Sequence, residues 1–369
     1  LGYYEQAVAL DSTFALAWGR VSQTYSNLYG LSTPTVAGAA AALAAARRVV
    51  ALAPESPEAR LAMGKYYENA GNDIRRALDE YTQGQRVTPN NADLLSAAAF
   101  VEESLGRWDA AEEHYRRART LDPGAVAITR RLARVLTWRR QYPEAVAMAD
   151  RALAMAPANL IVVQTKVEAC LAQGDLACAQ RALRAVPQEV EPAALVAFFA
   201  NYNDLYWLLD EDQQQLVLRL TPTQFDNDRG TWASILAQVN ALRGNQARAR
   251  AYADTARVAI ERKLEEAPQD EQLHVFRGLM LAILGRKEEA IREGLKGVEL
   301  NPIAEDDFGG PYTQLQLVRI YILTGEHEKA LDRLEPLLKI PYRLSAGWLR
   351  VDPTFDPLRS TPRFKKLVE

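Results

Sequence analysis

Cysteine, histidine and methionine are scarce in this chain, with two, three and four among 369 residues. Two cysteines cannot build the disulfide framework of a small secreted domain. Cys170 and Cys178 fall on successive helices of one pair, where they are expected to pack as small apolar side chains. Cysteine usage therefore fixes no compartment. His114, His274 and His327 are far apart, and none has a His or Cys at metal-ligand spacing. They read as surface or packing residues, and neither a metal nor a cofactor is called for. A basic excess is also missing: 44 Lys and Arg face 47 Asp and Glu, a net charge of −3, which argues against a generic nucleic-acid partner. The longest apolar runs, near Val36–Ala46 and Ala193–Ala200, fall short of the about 20 residues that a bilayer-spanning helix needs. No signal-peptide pattern is visible. Leu1 is not a Met and Tyr3–Leu10 reads as the tail of a second helix, so the chain is expected to be a fragment of a longer protein.

Catalytic signatures are equally sparse. No Gly-x-Ser-x-Gly elbow occurs. Asp307-Phe308-Gly309 spells the metal-binding tripeptide of kinases, yet no Gly-rich loop, strand-borne Lys or His-Arg-Asp loop accompanies it. The acidic pairs Glu102-Glu103, Glu112-Glu113 and Glu288-Glu289 sit on amphipathic helices and read as solvated faces. The expectation is a chain without catalytic residues.

What is present is a period. Ala92 to Pro123 reads as two antiparallel helices: Leu95, Ala98, Ala99 and Glu102 share one face of the first, and Ala111, Tyr115 and Ala118 one face of the second. Gly106 stands where a left-handed cap is needed, and Pro123 stops the second helix. The small residues let the two backbones approach, with Tyr115 filling the gap beside them. Terminal prolines recur at Pro54, Pro89, Pro123 and Pro157, at steps of 34 or 35 residues. Leading positions repeat as Trp18, Val21, Ser22, Tyr25; as Arg60, Met63, Gly64, Tyr67, then Ala77, Tyr81; and as Leu132, Ala133, Leu136, then Ala145, Ala152.

On these residues the chain resembles the tetratricopeptide repeat family. The resemblance implies an all-α fold, an α-solenoid in which helix-turn-helix repeats form a right-handed superhelix around a concave groove. The predicted organisation is an N-terminal array over 1–189, an irregular aromatic-rich connector over 190–229, a C-terminal array over 230–341 with turn glycines Gly244, Gly285 and Gly325, and a capping segment over 342–369. Within the first array, Ala15–Asn27 is the predicted leading helix, Leu28–Thr35 a loop holding Gly30 and Pro34, and Val36–Ala53 the second helix. The connector reads as one irregular helix pair carrying Phe198, Phe199, Tyr202, Tyr206 and Trp207, with a boundary at Thr221-Pro222.

The resemblance also implies a binding surface on the first helices. Mapped here, its groove positions are Arg20, Gln23, Lys65, Phe100, Arg130, Arg134, Trp138 and Gln164, with Arg131, Arg139 and Arg140 nearby. Arg130 and Arg134, one turn apart, would suit an acidic or phosphorylated protein segment. The family's Lys-x-x-x-Asn and Lys-x-x-x-Arg carboxylate clamp is absent: Leu61 and Lys65, then Ser96 and Phe100, stand in its places. Val275, Leu279, Ala282 and Ile283 would make an apolar groove, expected to be covered by the tail that carries Trp348, Phe355 and Phe364. The ending, LEPLLKIPYRLSAGWLRVDPTFDPLRSTPRF, resembles that of repeat domains in bacterial signalling proteins, often linked to serine/threonine kinases. The function implied is a protein- or peptide-binding scaffold or sensory module. The alternatives are a small-molecule sensor built on the aromatic segment 198–207 and a self-associating array.

Overall fold

The computed structural model describes residues 1–31, 35–202 and 204–369. Among them every regular element is helical. The predicted terminators act as the local chemistry requires. Helices α3 (Val36–Leu52), α5 (Ile74–Val87), α7 (Trp108–Leu121) and α9 (Tyr142–Met155) each end one cap residue before Pro54, Pro89, Pro123 or Pro157. Those caps leave the helical region, as the residue before a proline must. Glycine occupies the left-handed turn position at Gly106, Gly174, Gly244, Gly285 and Gly325, with φ between 67° and 85°. Two turns manage without it: Arg140 takes φ 64° and Asn72 φ 46°.

The chain divides into two compact units, 1–132 and 133–369. In the first unit, α1 (Gly2–Leu10) packs on α2 (Ala15–Leu31), and the pairs α2/α3, α4/α5 and α6/α7 follow, with α4 at Pro57–Asn69 and α6 at Ala92–Ser104. α3 also packs on α4, and α5 on α6. α2 runs through Leu31, so the predicted loop is helical at 28–31; Pro34 lies outside the described residues. Ala98, Ala99, Ala111 and Ala118 are all fully buried, as close approach of paired backbones requires.

In the second unit, α9 packs on α10 (Leu160–Gln173), and α10 on α11 (Leu176–Arg184). α8 (Val126–Trp138) spans the boundary between the units. The connector is more broken than a single helix pair. α12 (Pro192–Asn201) and the short α13 (Glu211–Val217) alternate with 3₁₀ turns at Leu205–Leu208 and Pro222–Phe225. Asp204, Asp226 and Asn227 adopt positive φ there, where no glycine is available. Regular pairs resume with α14 (Arg229–Leu242) and α15 (Gln246–Glu266), α16 (Glu271–Ile283) and α17 (Lys287–Leu300), and α18 (Gly310–Leu323) and α19 (His327–Leu337). The tail forms α20 (Ala346–Val351), a 3₁₀ stretch Pro353–Leu358, and α21 (Pro362–Val368).

Two expectations are corrected. Cys170 and Cys178 are joined as a disulfide between α10 and α11, with Cα atoms 5.7 Å apart, and do not pack merely as small apolar side chains. Glu102 and Glu103 are buried, not solvated: Glu102 lies 2.7 Å from His114 Nδ1, and Glu103 accepts the Tyr115 hydroxyl at 2.7 Å. A carboxylate can be buried when a positioned donor on the partner helix replaces water.

Candidate functional site

In the first unit the leading helices are set by their caps. Ser56 accepts the Ala59 N–H to start α4 with Pro57 in its first turn, and Asn91 accepts the Leu94 N–H to start α6. Lys65 then falls on the third turn of α4, Phe100 on the third turn of α6, and Arg131 on the second turn of α8. These three side chains come together. The Arg131 guanidinium lies 4.6 Å from the Phe100 ring centre and the Lys65 ammonium 5.4 Å from it. Lys65 Nζ is 2.5 Å from Glu68, which also accepts the Tyr81 hydroxyl at 2.8 Å. Tyr81 reaches that far because Gly64 has no Cβ; one there would sit 2.2 Å from the ring. Burial pushes the Lys65 ammonium below its usual range, opposed by Glu68 and assisted by Arg131. Arg131 Nε is buried without a hydrogen-bond partner among the described residues. Two cations and one carboxylate thus share this patch.

The other predicted groove residues lie elsewhere. Arg20, exposed on α2, donates to Gln23 at 3.1 Å. Arg130 and Arg134 share α8, both half-buried. The Arg134 guanidinium sits 4.8 Å from the Phe308 ring and 5.8 Å from Trp138. Trp138 stacks on Phe308 at 5.1 Å and meets Tyr342 edge-on at 5.5 Å. The Asp307-Phe308-Gly309 tripeptide therefore contributes an aromatic ring to a packed wall. Gln164 is buried on α10 and donates to Glu168 at 3.2 Å.

The inner face of the second unit is a buried polar network. Arg319 on α18, 6% exposed, pairs with Asp204 at 2.6 Å and donates to Gln238 at 2.6 Å, Gln316 at 2.8 Å and the Tyr206 hydroxyl at 3.0 Å. Burial alone would raise the Asp204 carboxyl; Arg319 and Arg343, with a hydrogen bond from Gln316, hold it below the usual carboxylate range. The tail completes the face. Arg343, 3% exposed, lies 3.9 Å from Glu168, with the rings of Tyr312, Tyr342 and Trp348 centred 5.4–5.7 Å away. Ser345 donates to the Ala172 carbonyl, and the Arg140 guanidinium gathers the carbonyls of Leu338, Ile340 and Leu344. Gly347 lies so close to α10 that a Cβ would meet Ala172 O at 2.6 Å and Gly174 N at 2.7 Å.

Of the predicted apolar groove, Val275 packs inside its own pair: a Cβ at Gly297 on α17 would meet its Cγ1 at 2.5 Å. Leu279, Ala282 and Ile283 line a cavity of about 570 Å³, together with Trp207 of the connector and Pro353, Thr354 and Pro357 of the tail. Trp348, Phe355 and Phe364 of the tail are buried, the two Phe rings 6.4 Å apart. Sequence reasoning missed Asp204, Arg319 and Arg343, whose ion-pair partners are more than a hundred residues away in the chain.

Residues 92–135 match the family model described as a tetratricopeptide repeat. No curated protein matches the chain. Among solved structures, a tetratricopeptide repeat protein from Parabacteroides merdae is 15% identical, with a TM-score of 0.44 over 82% of this chain and 99% of its own. Pseudomonas aeruginosa PilF is 17% identical, with a TM-score of 0.40 over 64% of this chain and 97% of its own. YrrB, described as having an unusual peptide-binding site, is 16% identical, with a TM-score of 0.36 over 51% and 92%.

Proposed function

We propose that this chain, built of tetratricopeptide-type repeats, is a protein-interaction module that docks an acidic protein or peptide segment against the first helices of its N-terminal pairs. The observation that carries this reading is the grouping of Lys65, Phe100 and Arg131, in which the ammonium and the guanidinium both lie over the Phe100 ring and Glu68 pairs with Lys65. A carboxylate entering there would pair with the Arg131 guanidinium, whose Nε has no hydrogen-bond partner among the described residues. It would also favour the Lys65 ammonium that burial disfavours. Arg20, exposed on α2, adds a cation on a further first helix.

The likeness of the ending to repeat domains of bacterial kinase-type signalling proteins supports a sensory or scaffolding role for this chain. The test is titration of a labelled oligoglutamate peptide against an oligoglutamine control. The glutamate peptide should bind the full chain preferentially, and Lys65→Ala/Arg131→Ala should weaken it about tenfold or more, in line with loss of two partly desolvated charge contacts. Equal affinity for both peptides, or no effect of the double substitution, contradicts the reading.

A further inference from the structure

The cavity in the second unit is enclosed by the first helices α14, α16 and α18, the 3₁₀ turn of the connector and the 3₁₀ stretch of the tail. Its volume of about 570 Å³ lies within the range of small-molecule sites, roughly 300–1,000 Å³. The wall is mainly aliphatic and aromatic, with Leu279, Ile283, Ile322 and Trp207 facing the space. Its charged lining consists of two arginines and no carboxylate. Arg319, at the floor, is already neutralised by Asp204. Arg250 is exposed on α15 and has no ion pair among the described residues, so it leaves one uncompensated positive charge at the mouth. Gln246, one turn before it on the same helix and also exposed, adds an amide beside that charge.

We infer that this cavity is a binding site for a small amphipathic monoanion, its apolar body against Leu279, Ile283 and Trp207 and its carboxylate at Arg250. An uncharged apolar ligand would gain from the wall but nothing from Arg250. A dianion would bring a second charge that the neutralised Arg319 cannot balance. The tail supplies part of the wall through Pro353 and Thr354, so occupancy also ties the tail to the repeats. The inference does not depend on acidic-peptide docking in the first unit.

The test is isothermal titration of the full chain with octanoate and with its neutral counterpart octanamide. Octanoate should saturate a single site and octanamide should bind about threefold more weakly, the size expected of one solvent-screened charge pair. Arg250→Gln should bring octanoate to the octanamide level, and molar salt should remove the difference. Ile283→Trp should abolish binding of both by filling the space. Leu242→Trp, at the exposed rim, should do the same if the former variant does not fold. Absence of saturable octanoate binding overturns the site. So does binding that survives a bulky substitution in a chain of unchanged unfolding temperature, and equal affinity for octanoate and octanamide overturns its anionic character.

Discussion

The two units use one repeat plan for opposite ends. In the first, the inner positions Lys65, Phe100 and Arg131 stay half-buried and group their cations over one ring. In the second, the corresponding first helices present Gln238, Arg319, Gln164 and Glu168, and all four are buried under the connector and the tail. What separates them is the added chain. A face that would meet water as a groove becomes a polar core once the irregular segment brings Asp204 to Arg319 and the tail brings Arg343 to Glu168. A buried charge pair of this kind adds little net stability over an apolar isostere, but removing one partner is costly.

The sharpest way to break the comparison is Asp204→Ala. It leaves Arg319 charged and buried, and is expected to destabilise the second unit by about 3–5 kcal/mol, read by denaturant titration. Because the Asp204 carboxyl is held below its ordinary value, the stability it contributes is present above the unfolded-state pKa of about 4 and is lost as pH falls through the lower folded value. The second unit of the native chain should therefore loosen in acid, and the Asp204→Ala variant should show less of that dependence in the same titration. Gly347→Ala and Gly64→Ala come next, each expected to cost about 1–3 kcal/mol by overpacking. The first forces a methyl onto the backbone of α10 and the second onto the Tyr81 ring. Hydrogen exchange should assign the damage to 342–352 in one case and to α4 and α5 in the other. Damage spread evenly over both units would contradict the contrast between them. Smallest is Gly285→Ala, where no atom lies within 4 Å of the new methyl. Only the left-handed backbone resists it, and a loss of about 1 kcal/mol is expected in a thermal melt.

The repeat array was legible because its signals are local. A proline one residue past a helix cap and a glycine in a left-handed turn are read within a few positions, and Pro54, Pro89, Pro123 and Gly106 sit where those rules place them. The disulfide, the buried glutamates and the tail's route were not legible, since each depends on a partner on another helix. One signal was available for the glutamates. Glu68 and Tyr81 are 13 residues apart and Glu103 and Tyr115 are 12 apart, and both pairs bond across a helix pair. That recurring Glu-to-Tyr spacing marks an acid satisfied inside the pair. Of the proposed docking residues, Lys65 and Phe100 were reachable from the family's groove positions. Arg131 entered only as a neighbour of Arg130, because a single residue's rotation on α8 decides which arginine meets Phe100. The pairing of Asp204 with Arg319 joins segments 115 positions apart, which no periodicity encodes.

The most direct measurement is hydrogen exchange of the full chain with and without a saturating oligoglutamate peptide. Protection confined to α4, α6 and the start of α8, with exchange at 342–352 unchanged, is the predicted result. Loss of protection at 342–352 on binding would contradict an exposed inner face in the first unit and a covered one in the second.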